Sequence, residues 1–176
     1  EGQMLNFLLC LVVFGTMSFC GHELAKSIEK RPRALHEMRA AVCMLQSRLH
    51  YYGETVQVAL EQMARETTGI FAPVFANAAT YMKQGSGAQD ALRQVLLEKQ
   101  TRDALLASLQ NEDVELLCTL MAHIGGDSAT QKNAFELALQ TIETAEKAAR
   151  DEQKRAGKLY RTGGVLLGAL VAILFL

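Results

Sequence analysis

Proline is nearly missing from this sequence: Pro32 and Pro73 are the two that occur, and none follows residue 73. A proline removes a backbone donor and clashes with the preceding helical turn, so its absence leaves one helix free to run from about residue 128 to the last residue. Other absences exclude chemistry. The four cysteines form no CxxC and no Cys/His ligand spacing, which excludes the usual zinc frameworks and reads as structural thiols in a reducing compartment. Cys10 and Cys20 lie in an apolar segment, and Cys43 and Cys118 are expected on apolar helix faces. His36-Glu37 opens like HExxH, but Ala40 stands where the second imidazole belongs, so two ligands are not presented one turn apart. The GSG at Gly85 has no lysine to reach a phosphate, and no GxSxG occurs; P-loop and serine-hydrolase chemistry are both excluded. His123 has no nucleophile spaced to pair with it and reads as a polar residue in the last turn of a helix. The adjacent carboxylates Glu112/Asp113 and Asp151/Glu152 point in diverging directions on a helix and read as cap charge and solvated face. No catalytic residue, no cofactor site and no metal site is expected.

What is present is helical periodicity in a chain of ordinary composition, 49% hydrophobic, 21% charged and with a formal net charge of −1, which implies no nucleic-acid partner. Leu35, Met38, Val42, Leu45, Leu49 and Tyr52 step by three and four, the stripe of an amphipathic helix that begins near Pro32 and stops at Gly53. Val56, Ala59, Leu60 and Met63 predict a second helix ended by Gly69, and Phe71, Val74, Phe75, Ala78 and Met82 a third, with Pro73 tolerated in its first turn. A turn at Gln84–Gly87 follows, where Ser86 and Gln89 have capping-box spacing. Short helices are expected from about Ala88 to Leu97 and from Arg102 to Leu109. Asn111 is a candidate cap for a helix whose apolar face is Val114, Leu117, Met121 and Ile124, closed by Gly125 and Gly126. The last helix opens at Asp127 or Ser128, with Ser128/Gln131 again at capping-box spacing, and carries the stripe Phe135, Ala138, Leu139, Ile142, Ala145 and Ala149. No internal repeat and no strand pattern competes. The fold class is all-α, a bundle of six or seven helices with short connections.

Two apolar runs flank this bundle. Met4–Cys20 is seventeen residues without a charge, its only polar side chains those of Asn6, Thr16 and Ser18, and fifteen uncharged residues follow Arg161. A helix over 159–176 would be about 27 Å long, close to the roughly 30 Å hydrocarbon core of a bilayer. A secretory signal needs a positive region before its apolar stretch and small residues after it; Glu1 precedes the first run and MSFCGHE ends it, so this run reads as a retained span. Lys26, Lys30, Arg31 and Arg33 follow the first run, and Lys154, Arg155, Lys158 and Arg161 precede the second. Basic flanks mark the cytoplasmic side, so both place the middle in the cytoplasm. The domain reading is therefore a transmembrane helix at 4–21, a cytoplasmic helical domain at 22–158 and a transmembrane helix at 159–176. Neither run contains an ionisable residue, which argues against a pore formed by this chain alone. Gly164 and Gly168 form GxxxG, which lets another helix approach closely, although glycine is also simply common in membrane helices. Gly15 offers an intramolecular surface for the same contact, so homo-oligomerisation stays open.

The blocks RLHYYGETVQVALEQMA (Arg48–Ala64), GSGAQDAL (Gly85–Leu92), GGDSATQKNAFELALQTIE (Gly125–Glu143) and KLYRTGGVLLGALVAILFL (Lys158–Leu176) closely resemble, in this order, the stage III sporulation protein AB family of endospore-forming bacteria. One departure is visible: Gly125-Gly126 stands before Asp127 where the family tends to have Leu-Gly. The family is similar to the cytoplasmic domains of type II secretion platform proteins, the F family. The resemblance implies a non-enzymatic platform or adaptor in a secretion-like channel complex between mother cell and forespore. It also implies a location in the mother-cell membrane surrounding the forespore. The implied partners are a cytoplasmic secretion-type ATPase, stage III sporulation protein AA, and other channel subunits of the same operon. A regulatory subunit of a membrane enzyme and a self-assembling pore component are the alternatives.

For the binding surface, the stretch 34–153 holds ten Lys/Arg against sixteen Asp/Glu, about −6, and Glu112, Asp113 and Glu115 at one helix start are the candidate contacts for a basic partner. The helix dipole explains acidic residues there equally well.

Overall fold

The computed structural model describes the backbone of residues 29–174, with side-chain surroundings for 29–158 and 162. Among the described residues every regular element is helical: α1 at 29–50, α2 at Val56–Glu66, a 3-10 turn at Gly69–Phe71, α3 at Ala72–Lys83, α4 at Ala88–Leu97, α5 at Lys99–Leu106, α6 at Asn111–Ala122 and α7 at Ser128–Leu174. By contacts the chain divides into two units, Arg31–Lys147 and a second made of Glu1–Lys30 with Ala148–Leu176.

Within the first unit the apolar stripes meet as periodicity requires. Leu35, Met38, Val42 and Leu45 of α1, Ala59, Leu60 and Met63 of α2, and Val74, Phe75 and Ala78 of α3 are all buried. Phe71 of the 3-10 turn, Leu92 and Val95 of α4, Leu105 of α5, Val114, Leu117 and Met121 of α6, and Phe135, Ala138 and Ile142 of α7 are buried with them. Side chains of α1, α3 and α6 close around a space of about 10 Å³ lined by residues such as Met38, Phe75 and Met121; its apolar lining offers a water no side-chain partner. His50 of α1 meets the ring of Phe135 edge-on, with centroids 5.8 Å apart.

Several boundaries differ from the sequence-based expectation. The chain is already helical at residue 29, so the helix does not begin at Pro32 but contains it. Tyr52 is not part of the α1 stripe: the helix ends at residue 50, and Tyr51 and Tyr52 are 86% and 74% exposed. The chain then reverses at Gly53, whose φ of 64° favours glycine. Arg48 holds that reversal, pairing with Glu54 at 3.2 Å and Glu66 at 2.7 Å and reaching Gln62 as well.

The Ser86/Gln89 box is not formed; Gly87 is the N-cap of α4 and has no side-chain bond. The fifth helix begins at Lys99, three residues earlier than the apolar pattern indicates. Glu98 causes the shift: extended at φ −60° and ψ 124°, it ends α4 and at once offers its carbonyl to the Arg102 N–H at 2.9 Å. Its carboxylate accepts from the Tyr81 hydroxyl at 2.5 Å and the Thr101 hydroxyl at 3.3 Å, fastening this corner to α3. The Tyr81 phenol is correspondingly pushed up, first by that hydrogen bond and then by the carboxylate charge.

Asn111 is the first helical residue of α6, not its cap. The N-cap is Gln110, whose N–H is accepted by Asp113 at 2.9 Å. At α7 the cap is Asp127, which accepts from the Ala129 N–H at 2.7 Å, the Thr130 N–H at 3.3 Å and the Thr130 hydroxyl. The Ser128/Gln131 pair is not used.

The cysteine expectation is also corrected: Cys43 and Cys118 are exposed, not packed on apolar faces. Each lies one helical position from a buried neighbour, Val42 and Leu117, and a turn of about 100° per residue is enough to carry the thiol out of the stripe. Among the described residues no helix is long and apolar enough to cross a membrane. The run 4–21, with Cys10, Gly15 and Cys20, lies outside the described residues. Of 159–176, including Gly164 and Gly168, only a helical backbone as far as Leu174 is described.

Candidate docking site

The three acidic residues singled out on α6 separate according to helix geometry. Glu112 and Glu115 are exposed, whereas Asp113 is 5% exposed and faces inward. The Asp113 carboxylate accepts from Arg31 Nε at 3.0 Å and Arg31 Nη2 at 3.2 Å, in addition to the Gln110 N–H. It is a clasp between α1 and α6 and is not available to a partner. Beside Val114 and Leu117, a position four residues from Leu117 on the inner face explains why it is buried.

A second internal carboxylate, Glu146 on α7, lies on the inner face four residues after Ile142, where the sequence pattern follows Ala145 instead. It is 4% exposed and meets His36 Nδ1 at 3.2 Å and Arg39 Nη1 at 3.6 Å, both on α1. So His36, the first residue of the incomplete HExxH, is an inter-helix contact. His123 closes α6, its Nδ1–H donating to the Thr119 carbonyl at 2.8 Å, a local bond within the last turn. Among the described residues no group of three or more His, Cys, Asp or Glu is placed to hold a metal ion.

A groove of about 810 Å³ is bounded by α4, α5 and α6. Its floor is apolar, with Leu96, Val114 and Met121 buried beneath it. Leu97 stands at its edge with 62% of its surface exposed. Leu96 and Leu97 are about 100° apart on α4, so burying one turns the other outward. Arg93 and Arg102 line the groove, and neither forms an ion pair with a described residue. Glu115 and Cys118 of α6 complete the lining. Desolvation pushes the Cys118 thiol up, while Arg102 and then Arg93 act to lower it and Glu115 to raise it. Of the sequence-predicted contacts only Glu115 belongs to this groove. Arg93, Leu97 and Arg102 carried a signal in the sequence: two cations and a leucine on the polar sides of short helices.

Comparison with known proteins agrees with the sequence resemblance. The family model described as stage III sporulation protein AB matches residues 6–176. Stage III sporulation protein AB of Bacillus subtilis (strain 168) is 27% identical over 175 residues, which is 98% of this chain and 100% of that protein. A solved structure of stage III sporulation protein AB is similar with a TM-score of 0.65 at 27% identity, covering 72% of this chain and 98% of that one.

Proposed function

The chain belongs to the stage III sporulation protein AB family, and on that premise we propose that it is a non-enzymatic platform subunit that docks a cytoplasmic secretion-type ATPase in a sporulation channel complex. In this reading 22–158 is the cytoplasmic docking domain and 4–21 and 159–176 are its membrane spans, in the mother-cell membrane around the forespore. Stage III sporulation protein AA is the ATPase, and other channel subunits meet the membrane helices.

The observation that carries the docking role is the α4–α6 groove. An open recess with an exposed leucine and two arginines without described ionic partners is a surface that a partner's side chains can fill. The basic flanks at 26–33 and 154–161 support the membrane orientation.

The direct test is a pull-down of the full chain, in mild detergent, with purified ATPase over a salt series. Saturable binding that weakens as salt rises is expected. No binding at any salt refutes the docking role. For the orientation, protease added outside intact cells should leave the middle of the chain uncut.

A further inference from the structure

We propose that the α4–α6 groove seats one amphipathic helix of the docked ATPase, a helix that turns apolar side chains onto Leu97 and the groove floor and carboxylates onto Arg93 and Arg102. This rests on the docking role above and adds which surface is used and what chemistry the partner presents. It also reverses the sign of the expectation drawn from net charge, under which exposed acids meet a basic partner.

Charge pairing within the domain is the first support. Every arginine of α1 already holds a carboxylate: Arg31 with Asp113, Arg33 with Glu37, Arg39 with Glu146 and Arg48 with Glu54 and Glu66. Arg93 and Arg102 do not, although the stretch 34–153 has about six more acids than bases. Two free guanidinium groups in acidic surroundings form a local patch complementary to carboxylates, and guanidinium presents its donors as a fork that fits them.

Shape and polarity decide between kinds of acidic ligand. A small dicarboxylate would leave Leu97 bare, whereas an amphipathic helix covers the leucine with the same face that brings the acids. The groove is open on its solvent side and runs between α4 and α6, which suits a rod better than an enclosed molecule. Glu115 on the α6 wall adds direction: a carboxylate of the incoming helix is repelled there, so acidic residues belong on the α4 and α5 sides alone.

The experiment uses two native thiols of the full chain. Cys118 lines the groove; Cys43 is exposed on α1 and is not part of the groove. Alkylation with iodoacetamide at alkaline pH, read by mass spectrometry at each cysteine, should slow at Cys118 when saturating ATPase is present and stay unchanged at Cys43. R93E/R102E should weaken the ATPase complex by about tenfold or more, while R93K/R102K should stay within about threefold of the parent. Hydrogen exchange on the ATPase should show new protection in one helical segment that carries Asp or Glu. ATPase binding with Cys118 still reactive, with R93E/R102E binding as well as the parent, or with protection confined to a basic segment overturns the groove assignment and leaves the docking role standing. Absence of any ATPase binding overturns both. Arg93 and Arg102 hold no described partner, so thermal melts of the variants should match the parent.

Discussion

Asp113 offers the sharpest test of how this domain is held together, because its carboxylate serves two elements at once. Replacement by alanine removes the acceptor for the Gln110 N–H and the acceptor for both Arg31 donors. Loss of a helix N-cap interaction costs about 1 kcal/mol. Hydrogen bonds to charged groups contribute about 1.5–3 kcal/mol; the Arg31 side chain is 23% exposed and regains some water when released, so the lower end, about 1.5 kcal/mol, applies. The total is about 2.5 kcal/mol. In a chain of this size each kcal/mol corresponds to about 2–4 °C in Tm, so Asp113→Ala should melt about 5–10 °C below the parent. Asp113→Asn keeps an acceptor for Gln110 and loses the charge pair, so its drop should be about 3–6 °C on the same scale. The assay is far-UV circular dichroism on the full chain in mild detergent, with Arg31→Met and the double variant completing a cycle. A coupling of about 1 kcal/mol or more between positions 31 and 113 is expected. Strict additivity, or an Asp113→Asn protein that melts with the parent, would refute the clasp. A charge reversal at Asp113 would also weaken partner binding, but through the fold; reversal at Glu112 alone should leave the melt unchanged.

Glu146 poses the second test. Its partners include His36 and Arg39, whose side chains are 63% and 44% exposed, so Glu146→Met returns these two to water while removing a buried carboxyl. Because these two partners regain water, the fall in Tm should stay under about 8 °C, and a larger fall would contradict this. Gly69, at φ 84°, has the Glu37 carboxylate 2.5 Å from where a Cβ would stand, whereas Gly53, at φ 64°, has nothing within 4 Å. Both Gly→Ala variants should lose about 1–2 kcal/mol from the left-handed backbone, and urea unfolding of Gly69→Ala should show an added penalty only if Glu37 fails to swing aside. At Asp127 the Thr130 hydroxyl, then the Ala129 and Thr130 N–H groups, hold the carboxyl below the ordinary value of 3.8. A depressed folded pKa stabilises above the unfolded pKa and is lost as pH falls through the folded one. Asp127→Asn keeps the cap without titrating, so the Tm difference from the parent should change between about pH 5 and pH 2; a constant difference would refute the assignment.

The helices were legible in the sequence wherever a stripe was long and uninterrupted. Leu35 to Leu45 and Phe135 to Ile142 announced their burial because a 3.6-residue period and an apolar side chain carry the same message. What stayed hidden depends on partners distant in sequence. Whether Asp113 faces solvent or Arg31 is decided by where α1 lies, and Arg31 is 82 residues away. The inner position of Glu146, in place of the Ala145 of the apolar pattern, is hidden for the same reason, its His36 partner lying 110 residues earlier. The start of α5 was misplaced because Glu98 acts through its backbone conformation, which apolar spacing does not record. The groove combines residues from three short helices, and only their packing makes Arg93, Leu97, Arg102 and Glu115 neighbours.

The pairing of the first and last helices of the Arg31–Lys147 unit also sets a schedule for its synthesis. When α1 leaves the ribosome, the glutamate that will meet His36 and Arg39 is still 110 residues from being made. At about 5–20 residues per second that is a wait of roughly 6–20 s. Within that interval Met38, Val42 and Leu45, which share an apolar pocket with Phe71, Phe75, Leu117 and Met121, gain α3 first and α6 next, and the α7 contact comes last. The α1 stripe is thus covered in stages, each slower than helix formation itself, and a chaperone that binds short apolar helices would find its target in α1 until α3 and then α6 arrive.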